Sequence, residues 1–190
     1  MKNYFTPSEF IKKGFPNPAG PVELFLLKNL RDKILNPIRR EIGRPMRITD
    51  CYRIIAKYKR MLEARNKDGS RKYNPSATSD HFWGQPVPTI KKRDRQKYGK
   101  IYSFSVGAVD FYIPRVKMAD VFDFVVGMEK EFKIRTGQIV LEHNPATKFS
   151  WIHISNPKEI LLSDTVINDL GLSKFKYLIS ENNGKSYKSI

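Results

Sequence analysis

The chain has 190 residues, of which 40% are hydrophobic, and this length favours one globular domain over residues 1–190, with a sizeable core. Its 35 lysine and arginine residues exceed its 19 acidic residues, so the formal net charge of +16 predicts attraction to a polyanion, whether nucleic acid, acidic membrane or an anionic cell-wall polymer. Cys51 is the only cysteine, which excludes an intramolecular disulfide and a zinc site built from thiolates.

The first elements predicted along the chain are helices. Residues Thr6 to Glu9 form a capping box with proline at the first helical position, which predicts a short helix. Between Val22 and Ile42, apolar residues recur every three or four positions, as in an amphipathic helix. Pro37 lies inside this pattern, so we expect a kink or break near Asn36.

A strand and a second helix should follow, before a long polar region. Residues 45–49 resemble a strand, and a helix with a basic outer face is expected from about Ile54 to Ala64. Residues 65–105 are rich in loop-forming and charged residues. This polar region includes a basic run at Lys91, Lys92, Arg93, Arg95, Lys97 and Lys100.

In the second half of the chain, the apolar pattern predicts three strands and one long helix. Residues 105–113, 138–142 and 150–154 are short apolar runs typical of strands, and 116–132 carries an apolar helical face. A short helix over 163–170 and a lysine-rich end complete the chain. The predicted class is therefore α+β, with a small antiparallel sheet and helices packed on one side.

Several polar residues interrupt these apolar segments. Asp110 lies between Val109 and Phe111, and a carboxylate inside an apolar strand is costly to bury unless it is paired or bound to metal. Glu142 ends the next apolar strand and raises the same question. His81 and His153 lie close to tryptophans; a single histidine of this kind is more often a hydrogen-bonded core or surface residue than a ligand, but together the four residues indicate a site.

Four short motifs give this site a possible identity. In chain order they are Thr49-Asp50-Cys51-Tyr52-Arg53, Ser79-Asp80-His81-Phe82-Trp83-Gly84, Gly107-Ala108-Val109-Asp110 and Trp151-Ile152-His153. The series resembles the zinc D-alanyl-D-alanine carboxypeptidase family, which also includes phage L-alanyl-D-glutamate endopeptidases. The resemblance covers about residues 8–155 and implies a hedgehog/DD-peptidase-like fold.

The resemblance also implies roles for individual residues. His81, Asp110 and His153 would be the ligands of a Zn²⁺ ion, and Glu142 would be the general base. Arg53 would bind the substrate carboxylate or steady the developing negative charge, and Ser79 would join it in substrate binding. In the family the aspartate follows the first histidine by seven positions, where this chain has Pro88, so Asp110 fits only if a basic insertion lies at about 85–104.

The expected activity is that of a zinc metallopeptidase, a carboxypeptidase or endopeptidase acting on peptidoglycan stem peptides, of phage or bacterial origin. Two other functions stay open: a catalytically inactive relative that binds cell wall or serves in a virion, and a nucleic-acid-binding protein that uses the basic insertion. The first residues lack the apolar run of a signal peptide, and no apolar stretch approaches the roughly 18 residues of a membrane span. We therefore expect synthesis in the cytoplasm, and action on the wall after release or as part of a virion.

Overall fold

The computed structural model describes residues 3–52, 55–70, 81, 83, 105–161, 177–182 and 186–190. The basic insertion at about 85–104, the helix predicted over 163–170, and the residues Arg53 and Ser79 lie outside this part of the chain. Their predicted roles, and the prediction of a single domain, therefore stay predictions.

The N-terminal helices follow the signals read from the sequence. Helix α1 spans Pro7–Ile11, and the Glu9 carboxylate accepts a hydrogen bond from the Thr6 backbone N–H at 2.8 Å, as a capping box requires. Helix α2 spans Pro21–Asn29 and α3 spans Asn36–Ile42. Gly43 ends α3 in the left-handed conformation, with φ of 68°, which glycine adopts without steric cost.

A π-helical segment, Leu30–Leu35, joins α2 to α3. The break expected near Asn36 is thus a widened turn, with the Asn36 N–H donating to the Arg31 carbonyl five residues earlier. Pro37 has no N–H to donate, and its ring would crowd the carbonyl four residues before it. A wider turn just before the proline relieves that crowding while the helical path continues.

The strands form one six-stranded sheet. They are β1 Arg47–Asp50, β2 Ala108–Tyr112, β3 Ile139–Asn144, β4 Phe149–Ser155, β5 Tyr177–Ser180 and β6 Lys188–Ser189, in the spatial order β1-β2-β4-β3-β5-β6. The expectation of an antiparallel sheet holds for β1 to β4 and for the β5–β6 pair, but it is wrong for β5 against β3, which is a parallel pair. The sheet is therefore mixed, within an α+β protein.

Strands β5 and β6 lie in the region that the sequence suggested was only a lysine-rich end. Leu178 and Ser180 are buried, whereas both residues of β6 are exposed. An apolar run of three residues, Tyr177 to Ile179, is too short to distinguish from a loop by its pattern. The pairing with β3 decides its structure.

Helices α1, α2 and α3 and the helix Met118–Lys130 share one hydrophobic cluster with one face of this sheet, here called the core face. Phe111 and Ile152, which are opposite one another on β2 and β4, belong to the same hydrophobic cluster as Ile34 and Phe122. Phe122 lies on α5, Met118–Lys130. Among the described residues, α4 spans Ile55–Glu63 and a short 3-10 helix spans Lys158–Ile160. Because neighbouring side chains of a strand point to opposite faces, the residues next to these core positions point to the other side of the sheet.

Candidate metal centre

The other side of the sheet, here called the site face, carries Asp110 and His153. These two residues are direct partners on the neighbouring strands β2 and β4. Asp110 lies between the buried Val109 and Phe111, so strand alternation alone turns its carboxylate away from the core. The polar interruptions noted in the sequence thus come from two strands whose register places them side by side.

His81 completes a cluster of three ligand-bearing side chains. Its Nε2 lies 3.1 Å from Asp110 Oδ1 and 3.2 Å from His153 Nδ1, and His153 Nδ1 lies 2.9 Å from Asp110 Oδ1. His81 and His153 are 2% and 8% exposed. The three residues that the sequence singled out as ligands therefore converge on one point, and this group can hold a metal ion.

The spacing of the three atoms agrees with metal coordination. Zinc–ligand bonds of about 2.0 Å in a tetrahedron place neighbouring ligand atoms roughly 3.3 Å apart. The separations of 2.9, 3.1 and 3.2 Å are close to that edge length. Two imidazoles and a carboxylate are a ligand set that suits zinc and several other divalent transition metals.

A second hydrogen bond orients His81. Its Nδ1 lies 2.8 Å from the Cys51 carbonyl oxygen, which can only accept, so Nδ1 carries the proton and donates it. Nε2 faces the cluster, where it donates to Asp110 when the ring is protonated and offers its lone pair to a metal ion when the ring is neutral. A histidine held by a backbone carbonyl in this way is the usual arrangement of a metal ligand, because the outer hydrogen bond sets both tautomer and ring orientation.

Trp83 supports the same carbonyl from the protein interior. Its indole Nε1–H donates to the Cys51 carbonyl at 2.8 Å and lies 3.1 Å from the Ala108 carbonyl. The indole is fully buried and packs against Gly107, where a Cβ atom would come within 2.7 Å of the ring. Trp83 therefore connects the segment that carries His81 to the strand that carries Asp110.

The charge state of Asp110 favours ligation. Burial raises the pKa of its carboxyl, but the electrostatic influence of His81 and the hydrogen bonds from both imidazoles lower it by more, so the pKa lies well below its usual value. Asp110 is ionised and presents an anionic oxygen to the cluster.

Glu142 lies on the site face as well. Val140 is the partner of His153 on β3, and Glu142, two residues further, is the partner of Trp151. Glu142 is thus the diagonal neighbour of His153, with about 7–8 Å between positions of this kind, a separation that long side chains can bridge. Its placement is suitable for a proton-transfer role.

His143 takes no part in the cluster. It follows Glu142 on β3 and points to the core face, where its Nδ1 lies 2.9 Å from Ser150 Oγ on the partner strand. One histidine of the three is therefore a hydrogen-bonded structural residue, the more common role that the sequence alone allowed for all of them.

Sequence reasoning overlooked two features of the site. The Cys51 carbonyl accepts hydrogen bonds from both His81 and Trp83. Every residue has a backbone carbonyl, so the side-chain pattern of a sequence cannot predict which one serves as an acceptor. Asp50 is the partner of Asp110 across a β-bulge in β1, so it adds a carboxylate to the site face. The sequence does contain a signal for Asp50, because this acidic residue directly follows the strand predicted over residues 45–49.

Comparisons of the chain with family models, with curated proteins and with solved structures find no match. Among the described helices, none combines the length and the apolar character needed to cross a membrane.

Proposed function

We propose that this protein is a zinc-dependent peptidase, a carboxypeptidase or an endopeptidase, that hydrolyses a peptide bond in peptidoglycan stem peptides. The observation that carries the proposal is the convergence of His81, Asp110 and His153, with His81 held in its ligating tautomer by the Cys51 carbonyl. The four sequence motifs add support, because their histidines and aspartate are the residues that converge.

Each protein group has a distinct task in this proposal. A zinc ion held by three protein ligands is a Lewis acid that makes a water molecule acidic near neutral pH. The Glu142 carboxylate would take a proton from the attacking water as the C–O bond forms and the carbonyl π electrons move to oxygen. It would then deliver that proton to the amine nitrogen as the carbonyl re-forms and the C–N bond breaks. Arg53 and Ser79 hold the substrate, and this role rests on the sequence resemblance alone.

The metal is tested first, by elemental analysis after loading with zinc and removal of excess ion. We expect one zinc per chain in the wild type and in His143→Ala, since His143 is on the core face. His153→Ala and Asp110→Ala should lose the metal, because each removes one of three ligands. Asp80→Ala and Asp94→Ala should retain it.

Hydrolysis of a synthetic stem peptide is measured on the same proteins. Wild type and His143→Ala should cleave it, and the activity should disappear with chelator and return with zinc. No stoichiometric metal in the wild type, or a requirement for Asp94 rather than Asp110, would overturn the site. Metal binding without hydrolysis of any stem peptide would favour the inactive relative instead.

A further inference from the structure

Three aromatic side chains lie beside the candidate metal ligands on the site face. We call these three residues, Tyr112, Phe149 and Trp151, the aromatic shelf. The rings of Tyr112 and Phe149 are edge to face with centroids 5.0 Å apart, and those of Phe149 and Trp151 are nearly parallel with centroids 6.0 Å apart. These separations are typical of interacting aromatic rings, so the shelf is one continuous surface.

The strand register sets the distance of the shelf from the ligands. Tyr112 follows Asp110 by two residues on β2, and Trp151 precedes His153 by two on β4. Two residues of a strand span about 7 Å, so Tyr112 and Trp151 begin the shelf about 7 Å from the cluster, and Phe149 extends it to about 14 Å. The shelf thus leads away from the metal ligands along one direction.

The shelf is accessible, unlike the aromatic group in the core. Phe15, Tyr52 and Trp83 also make edge-to-face contacts, but all three are buried. Phe149 is 38% exposed, and Tyr112 and Trp151 are half-buried. Tyr112 also packs against the edge of the hydrophobic core, whereas Phe149 and Trp151 do not belong to that cluster and present accessible ring surface beside a candidate reaction centre.

The charges around the shelf indicate what kind of flat molecule it accepts. Asp50, Asp110 and Glu142 lie on the same face, and Arg47, the partner of Tyr112 on β1, is an exposed cation at the shelf's edge. The described residues around the shelf carry charges of both signs, so they do not form the continuous basic groove with which proteins bind the phosphates of a nucleic acid. A sugar ring carries no such charge, and its C–H face packs on an aromatic face while its hydroxyls reach polar groups at the edge.

We propose that the aromatic shelf is a glycan subsite, which binds a pyranose ring of the polysaccharide that carries the scissile peptide. This inference rests on the proposed function for the identity of the polymer. It means that the enzyme acts on stem peptides still attached to their glycan strand, with the sugar on the shelf and the peptide at the metal.

Binding is tested without catalysis, using a soluble tetramer of N-acetylglucosamine and intrinsic fluorescence. Trp83 is fully buried, so a change on adding the sugar reports Trp151. We expect a saturable change in the wild type, and binding at least tenfold weaker in Phe149→Ala. Phe25→Ala, which removes a 54% exposed ring from α2, is the control and should bind like the wild type.

Turnover is tested with two substrates, a stem peptide with its disaccharide and the same peptide without it. Phe149→Ala should raise KM about tenfold for the first and leave kcat/KM for the second unchanged. Equal effects on both substrates, or on neither, would overturn the subsite. A fluorescence change with oligo-dT but not with the sugar would also overturn it, in favour of a base-stacking platform. Sugar binding that depends on Phe149, with no hydrolysis of either substrate, would keep the glycan site and reject the peptidase.

Discussion

Glu142 and His143 are consecutive residues with opposite environments. The alternation of β3 directs Glu142 to the site face, next to the row that contains Asp110 and His153, and directs His143 to Ser150 on the core face. A proton acceptor for the proposed reaction must lie on the same face as the metal ligands. Among this pair only Glu142 meets that condition.

Replacing Glu142 by glutamine should separate metal binding from catalysis. Glu142→Gln keeps the shape of the side chain and removes its basicity, so zinc content and folding should match the wild type while hydrolysis of a stem peptide falls about 100-fold or more. Glu131→Gln, which alters an exposed glutamate paired with Lys133, is the control and should be fully active. Activity of Glu142→Gln within a few-fold of the wild type would remove Glu142 from the mechanism.

Strand β2 and the segment that carries His81 are held together by Trp83 and Gly107. The indole donates to the Cys51 carbonyl and covers Gly107, which has a positive φ of 83°. Trp83 itself has φ of 41°, a strained conformation for a bulky residue, and such strain persists only where the surroundings enforce it. Gly107 is therefore required for two reasons: its positive φ favours glycine, and a side chain at this position would collide with the Trp83 ring.

Gly107→Ala should destabilise the protein and weaken metal binding together. A methyl group there meets the Trp83 ring and occupies a left-handed conformation, and these two costs sum to about 3 kcal/mol in the free energy of unfolding. Displacement of Trp83 would also disturb the carbonyl that orients His81. Urea unfolding measures the first effect, and zinc affinity measures the second.

Gly127→Ala provides the matched control for this substitution. Gly127 lies in α5, and a Cβ atom there meets nothing within 4 Å. The change should leave zinc affinity unaltered and raise stability by about 0.5–1 kcal/mol, as alanine favours a helix over glycine. Equal stability losses in both variants would contradict the role assigned to Trp83 and Gly107.

The charge of the whole chain is strongly asymmetric, with a net charge of +16. Such an excess attracts polyanions over a range set by the ionic strength, about 8 Å at physiological salt. The acidic groups of the site face are local exceptions to this positive field. We therefore expect the charge to concentrate the protein on an anionic wall while the site face selects what is bound and cleaved.

Neutralising Lys91, Lys92, Arg93 and Arg95 together should weaken association with isolated cell walls at low salt. Turnover of a short soluble peptide should stay nearly unchanged, because these side chains are assigned no chemistry. Wall binding measured by sedimentation at increasing salt should decline in the wild type toward the level of the variant. Tight binding to DNA that survives physiological salt, without affinity for the wall, would instead support the nucleic-acid function.

Local patterns in the sequence predicted most elements and the chemically unusual positions. The helices and strands β1 to β4 follow from apolar periods of 3.6 and 2 and from capping residues, which act over a few neighbours. The position of Asp110 between two apolar neighbours indicates an unusual buried carboxylate, and this too is local information. Local patterns thus marked Asp110 and the two histidines near tryptophans, and the resemblance of four motifs to a zinc peptidase family supplied the ligand set His81, Asp110 and His153.

The tertiary structure decided how these pieces meet. His153 and Asp110 are 43 positions apart and His81 and His153 are 72 apart, so their contacts depend on strand order and register. The parallel pairing of β5, the Cys51 carbonyl behind His81 and the aromatic shelf have the same origin. A short apolar run can pair with any available strand edge, and the choice among partners is made by packing of the whole chain, which no local period encodes.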